Sequence, residues 1–176
     1  MQKRYPRTLS AGANNTVIAL SETEVAKIFS GDTRSDIGSE AEKLKFANQI
    51  NGLIAKFIRL DELNELNENA EILVMERIYP IDFRAYEQEK RELWLDVLEE
   101  DLLQLHVAGF VHRDLRRPSD IVGQPFDNIL LTDKGFRLID VGISALKTQV
   151  GEKLFNRFLE QELKELEEFK VFFLNR

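Results

Sequence analysis

The sequence reads as α+β, with strands and one helix in residues 1–77 and a mainly helical second part in residues 78–176. Two observations carry that reading. Apolar runs of strand length, bounded by turn residues, fall at 17–20, 24–29 and 71–78. Helix-spaced apolar residues then run through 86–107, at Leu95, Leu98, Leu102 and Leu105, and through 151–174, from Leu154 to Phe173. A length of 176 residues fits one domain, or two small lobes sharing an interface.

Composition excludes several classes. A hydrophobic share of 43% with 12 Phe suffices for a packed core. No apolar run approaches the ~20 residues of a membrane helix, and no signal peptide opens the sequence. The absence of Cys rules out disulfides and thiolate metal sites, and suits a reducing, cytoplasmic setting. With 31 acidic against 24 basic residues, non-specific binding of nucleic acid is disfavoured. His106 and His112 are the only histidines, too few for a His-rich zinc site.

Taken in order, residues 1–8 read as an extended basic arm with Lys3, Arg4 and Arg7 around Tyr5 and Pro6. A turn follows between Leu9 and Val17, with Ser10, Gly12 and Asn15. Gly lets backbone N–H groups approach an anion closely, and Asn tolerates left-handed geometry; an ordinary hairpin turn uses the same residues. Lys27 sits among apolar residues on the strand 24–29, where its stem can pack and its ammonium reach either a ligand or water. Ser35-Asp36 start a helix whose spacing runs over 38–57. One turn of spacing puts Glu40 on the face of Leu44 and Ala47, and Glu42 on the face of Phe46 and Ile50. Residues 61–69 are an acidic linker or hairpin turn, and the strand 71–78 ends at a hinge marked by Tyr79-Pro80.

The helix 86–107 leads into the most informative stretch. It reads His112-Arg113-Asp114-Leu115-Arg116-Arg117, a polar segment 119–125, Asp127-Asn128-Ile129-Leu130-Leu131, and finally Arg137-Leu138-Ile139-Asp140-Val141-Gly142. Asp114, Asn128 and Asp140 each stand at the edge of a short apolar run. Phosphoryl transfer needs such a set: one carboxylate to orient a hydroxyl, and an amide plus a second carboxylate to hold metal over phosphates. Singly, each residue is equally well a turn cap or a member of a buried ion pair.

Together and in order, these motifs resemble the protein-kinase family, with its His-Arg-Asp-Leu, an Asn before a short strand, and an Asp-Phe-Gly after the next. The resemblance covers residues 9–142. It implies a bilobal protein-kinase-like fold, with an antiparallel N-lobe sheet and one helix, a reduced helical C-lobe, and ATP and Mg2+ as cofactors. Asp114 would be the catalytic base, and Asn128 and Asp140 the metal ligands. Lys27 would hold the phosphates, braced by Glu40, with Glu42 as runner-up. Ser10, Gly12, Asn15 and Val17 match a degenerate Gly-rich loop. Met75, Glu76 and Ile78 match the segment bordering adenine, with main-chain groups of Glu76 and Ile78 as its contacts. Arg116 and Arg117 are placed to neutralise charge on a transferring phosphate, while His106 and His112 read as packed or structural.

Three departures stand out. Asp114 and Asn128 lie fourteen apart, where the family has five positions, so 119–125 must loop out, at little entropic cost. Val141 replaces the family's Phe, and no Ala-Pro-Glu or protein-substrate platform follows Gly142. The resemblance therefore implies an atypical ATP- and Mg2+-dependent phosphotransferase acting on an unidentified protein or small-molecule acceptor. Two alternatives accompany it: a pseudokinase that binds nucleotide or scaffolds partners, and a small-molecule hydroxyl kinase, although the latter usually carry His-Gly-Asp. The apolar stripe of 151–174, with Phe172 and Phe173, either caps the core or seats a protein partner or a second copy.

Overall fold

The computed structural model describes residues 4–11, 15–29, 36–63, 70–117 and 124–175. The first part builds a five-stranded antiparallel sheet in the order β1-β2-β3-β5-β4. Its strands are β1 (Arg7–Ala11), β2 (Asn15–Ala19), β3 (Glu24–Phe29), β4 (Phe57–Leu63) and β5 (Ala70–Glu76). Lys27 lies opposite Val17 on one side and Leu73 on the other. Its ammonium therefore emerges from the middle of the sheet rather than from an edge. The basic arm is shorter than the composition suggests, because from Arg7 onward the chain is already the exposed edge strand β1.

Helix α1 (Ile37–Asn48) starts at Asp36, whose carboxylate accepts the Gly38 N–H at 3.1 Å, an N-cap that satisfies one orphan donor of the first turn. The helical spacing that runs on to residue 57 is not followed. The side chain of Asn48 ends the helix: Nδ2 donates to the Ile54 and Ala55 carbonyls and Oδ1 accepts the Phe57 N–H at 2.8 Å. Leu53, Ile54 and Ala55 are buried in an extended segment, not on a helical face. Of the acidic stretch 61–69, residues 61–63 end β4, an edge strand whose Ile58 and Leu60 face outward, and 64–69 lie outside the described residues. An edge strand with one wet face and Arg59, Asp61 and Glu62 among its seven residues lacks the apolar run by which strands are read from sequence.

The second part opens with a 3-10 turn (Phe83–Ala85) and helix α2 (Gln88–Ala108), which Gly109 closes at φ 95°, the left-handed conformation that Gly adopts without a Cβ penalty. Short antiparallel pairs follow, β6 (Phe110–Val111) with β9 (Ala145–Leu146), and β7 (Ile129–Thr132) with β8 (Gly135–Leu138). After the single turn α3 (Lys147–Val150), helix α4 (Glu152–Leu174) packs Leu166, Phe169 and Phe173 into one core with Leu95, Leu98, Leu102 and Leu105 of α2. Phe126 and Phe136 meet Phe169 edge-on at 5.2 and 5.4 Å, an arrangement aromatic quadrupoles favour. Helix α4 thus caps the core. Its buried face, however, includes Glu162 and Glu165, while Leu154 and Leu163 of the apolar stripe are exposed.

The two parts are stitched by main chain. Ala55 N–H donates to Leu138 O at 2.9 Å and Leu138 N–H to Leu53 O at 2.8 Å. That ties the segment leaving α1 to the strand that leads into Asp140. Among the described residues no helix is long and apolar enough to cross a membrane.

Candidate active site

Lys27 is 5% exposed and Glu40 only 2%. Nζ donates to Glu40 Oε1 and Oε2 at 2.9 and 3.1 Å, and to Asp140 Oδ1 at 3.1 Å. The runner-up Glu42 is exposed. Burial works to lower the pKa of Lys27, but the neighbouring Asp140 and Glu40 carboxylates outweigh it and raise that pKa. Burial likewise works to raise Asp140, yet Lys27 pulls it below the ordinary carboxylate value. Glu40 is pushed up by its burial, because it shares one ammonium with a second carboxylate.

The loop that carries Asp114 is built around His112, which is fully buried. Its Nε2 donates to Ile139 O at 2.9 Å, and its Nδ1 accepts the Asp114 N–H at 3.3 Å. One imidazole therefore fixes the loop carrying Asp114 against the residue preceding Asp140. Asn128 donates from Nδ2 to both Asp114 O and Asp114 Oδ2 at 2.9 Å, so the two motif residues fourteen positions apart do converge. Arg117 N–H closes the intervening segment on Pro125 O at 2.7 Å, while residues 119–123 of that segment lie outside the described residues. Asp114 is raised above the ordinary aspartate value, chiefly by burial and further by Asp140, against the lowering effect of His112.

A cleft of about 170 Å³ between the two parts is lined by Lys27, Glu40, Asn128 and Asp140, with Asp114 behind Asn128 rather than on its wall. Ser10, Val17, Lys27, Met75 and Glu76 line it from the sheet side, and Asn128 and Asp140 from the other. Ile78 lies past the end of β5 and is not among the lining residues. The Glu76 N–H is taken by Lys56 O at 3.0 Å, which leaves the carbonyl rather than the amide of that residue for a ligand. Gly12 and the side chain of Asn15 lie outside the described residues. A larger cavity of about 340 Å³, walled by Phe83, Phe126 and Phe173, is lined by none of Lys27, Glu40, Asp114, Asn128 and Asp140. Lys27, Glu40, Asn128 and Asp140 line the smaller one.

Arg116 is the site residue that geometry reassigns. Its guanidinium pairs with Glu168 of α4 at 2.8 Å, on the surface. Arg117 lines the cleft instead, with Nε 3.6 Å from Asp127 Oδ2. Sequence reading also passes over Glu162 and Glu165. Glu162, 1% exposed, accepts the Arg113 N–H at 2.5 Å and the His106 Nε2–H at 2.8 Å, and Glu165 accepts the Arg116 N–H at 3.3 Å. Glu162, Glu165 and Glu168 recur every three residues, so α4 presents them in a row to the loop that carries Asp114. The available signal was two acids at positions where the helical period demands apolar side chains.

The donor set suits magnesium. Asp140 is held ionised by Lys27, and the Asn128 amide nitrogen is committed to Asp114, so its oxygen is the atom available to a cation. Among the described residues no group of three or more His, Cys, Asp or Glu forms a metal cage. Two oxygen donors beside a phosphate-sized cleft are what a Mg2+ completed by phosphate and water requires.

An antiparallel sheet with one helix, a connecting segment, a helical second part and a cleft between them define a bilobal protein-kinase-like fold. Among solved structures, the chain is similar to the kinase PK-1 of Cydia pomonella granulovirus, with a TM-score of 0.56 and 17% identity over 80% of this chain and 51% of that one. The chain thus spans about half the length of that kinase. Neither a known sequence family nor a curated protein matches it.

Proposed function

We propose that the chain is an ATP- and Mg2+-dependent phosphotransferase acting on a hydroxyl group. The observation that carries this reading is the meeting of Lys27, Glu40, Asp140 and Asn128 along one cleft, with Asp114 held next to it by its hydrogen bond from Asn128. Lys27, kept charged by its carboxylate neighbours, binds the α- and β-phosphates, and Glu40 holds it in place. Met75 borders the adenine, and the backbone of Ser10 and Val17 closes over the phosphates.

Asp114 accepts the proton as the acceptor oxygen bonds to the γ-phosphorus and the bond to the β-phosphate oxygen breaks, releasing ADP. Its pKa, raised chiefly by burial, suits a general base better than that of an ordinary aspartate, because basicity rises with it. Asn128 orients that carboxylate. Asn128 and Asp140 would hold Mg2+, which supplies charge neutralisation on the phosphates when bound. Arg117, on the same wall, offers a further positive charge toward the transferring group.

The test is phosphoryl transfer from ATP to a panel of peptide and metabolite hydroxyls. Asp114→Asn should lower turnover by at least ~100-fold with nucleotide affinity retained, within the range general bases contribute. Undiminished turnover in Asp114→Asn overturns the role. Nucleotide binding with no transfer to any acceptor would favour the pseudokinase reading, which the Val141 replacement supports.

A further inference from the structure

The turn that carries Asp140 is gripped from two sides by cations. Lys43, on α1 one turn beyond Glu40, is 9% exposed and donates from Nζ to Gly142 O at 3.2 Å. Arg113, beside Asp114, donates from Nη1 to the next carbonyl, Ile143 O, at 3.0 Å. Its guanidinium also lies 3.6 Å from the centroid of the Phe158 ring on α4, a cation–π distance. Consecutive carbonyls of one turn are thus held by one side chain from each part of the molecule.

The turn needs holding. Asp140 sits at φ 60°, a left-handed conformation that costs a non-glycine residue free energy. A Cβ on Gly142 would come within 3.3 Å of Asp140 Oδ1 and 3.6 Å of Glu40 Oε2, so the turn presses closely on the carboxylates. Val141 is buried in the core but is small, and supplies less packing than an aromatic ring. Where such a segment is switched by phosphorylation, an arginine pairs with the added phosphate and orders it. Here the arginine next to the catalytic aspartate is already engaged by main chain and an aromatic face.

We propose that Lys43 and Arg113 are positioning residues that form a built-in clamp, holding the Asp140 turn assembled without any phosphate added to the chain. The proposal rests on the reading of Asp140 as a metal ligand. Its geometric part does not. The two cations repel each other, and Glu40 and Glu42 offset the charge of Lys43, so the arrangement persists because both carbonyls are satisfied by it.

Hydrogen exchange on the nucleotide-free chain tests the clamp directly. The reporters are the Gly142 N–H, bonded to Asp140 Oδ1 at 3.4 Å, and the Ser144 N–H, bonded to Val141 O at 3.0 Å. Lys43→Met and Arg113→Met should each speed exchange of residues 140–146 roughly 5- to 10-fold, the equivalent of one lost hydrogen bond. Lys43→Arg should restore protection, and α2 should exchange as in the wild type throughout. Exchange unchanged in either Met variant overturns the clamp. In the transfer assay, phosphatase-treated wild type should match untreated protein, and Lys43→Met should raise the Mg2+ concentration for half-maximal rate more than it lowers kcat. Activity lost on phosphatase treatment also overturns the proposal. Exchange that responds as stated in a chain without turnover upholds the clamp and counts against the proposed function alone.

Discussion

Replacing Glu162 by Ala isolates the joint between α4 and the loop that carries Asp114. The carboxylate accepts from the Arg113 N–H at 2.5 Å and from His106 Nε2 at 2.8 Å; Glu162 and His106 are buried and Arg113 is half-buried. Hydrogen bonds to a charged group contribute about 1.5–3 kcal/mol each. Truncation removes both and leaves a donor at Arg113, whose φ of 71° already carries strain, with no acceptor. Against that, the desolvation cost of the carboxylate disappears with it. The net loss should be about 3–5 kcal/mol, as for other buried pairs broken from one side. For a chain of this length, ~2–4 °C per kcal/mol gives a fall in Tm on the order of 10 °C. Glu162→Gln keeps the volume and one acceptor and should lose about 1–2 kcal/mol. Glu168→Ala, which removes the surface partner of Arg116, should lose less than about 1 kcal/mol. Urea unfolding of the three variants, with the m-value unchanged, supplies the numbers. A loss below about 0.5 kcal/mol for Glu162→Ala, the range of surface substitutions, refutes the anchoring role.

Two further outcomes follow from the cleft. Acidification should stop turnover before it unfolds the chain. Asp114 has its pKa raised above 3.8, so the base is protonated, and kcat/KM falls, at a pH above the ordinary aspartate value; protonating it relieves rather than adds to its burial cost. Asp140 is lowered, so its stabilising pairing with Lys27 is present above the unfolded value of 3.8 and is lost only as pH falls through the lower folded one. Rate and far-UV circular dichroism collapsing at the same pH would contradict this order. Arg117→Met should lower kcat/KM for ATP about tenfold, a modest share of what charge-stabilising groups contribute, whereas Arg116→Met should leave it nearly unchanged. The reverse result would return the role to Arg116.

That Lys27, Asp140, Asn128 and Asp114 come together was legible because the proposed chemistry would dictate residue type. Lys27, Asp114, Asn128 and Asp140 each need a particular functional group beside a short apolar run, and the sequence displays that in order. The resemblance of its helix to the family's pattern favours Glu40 over Glu42, helical spacing only placing the two on different faces. What escaped sequence reading is set by tertiary contacts. Asn48 ends α1 through bonds to carbonyls and an amide six to nine residues ahead, and nothing in the periodicity of 38–57 announces that. Strand β4 is defined by its pairing with β5 rather than by its own pattern. Arg116 and Arg117 are adjacent and chemically alike, so only the glutamates of α4 decide which one faces the cleft. Glu162 and Glu165 break an apolar stripe, a local inconsistency of the kind that functional sites produce.

The most direct measurement is ATP binding followed by thermal shift, with and without Mg2+, in wild type, Lys27→Met and Asp140→Ala. Nucleotide at about 100-fold above its dissociation constant should stabilise the wild type by about 2.7 kcal/mol. That gain should require Mg2+ and disappear in both variants. A wild type that no nucleotide stabilises, or a shift that survives both substitutions, would contradict the gathering of Lys27 and Asp140 around a single triphosphate.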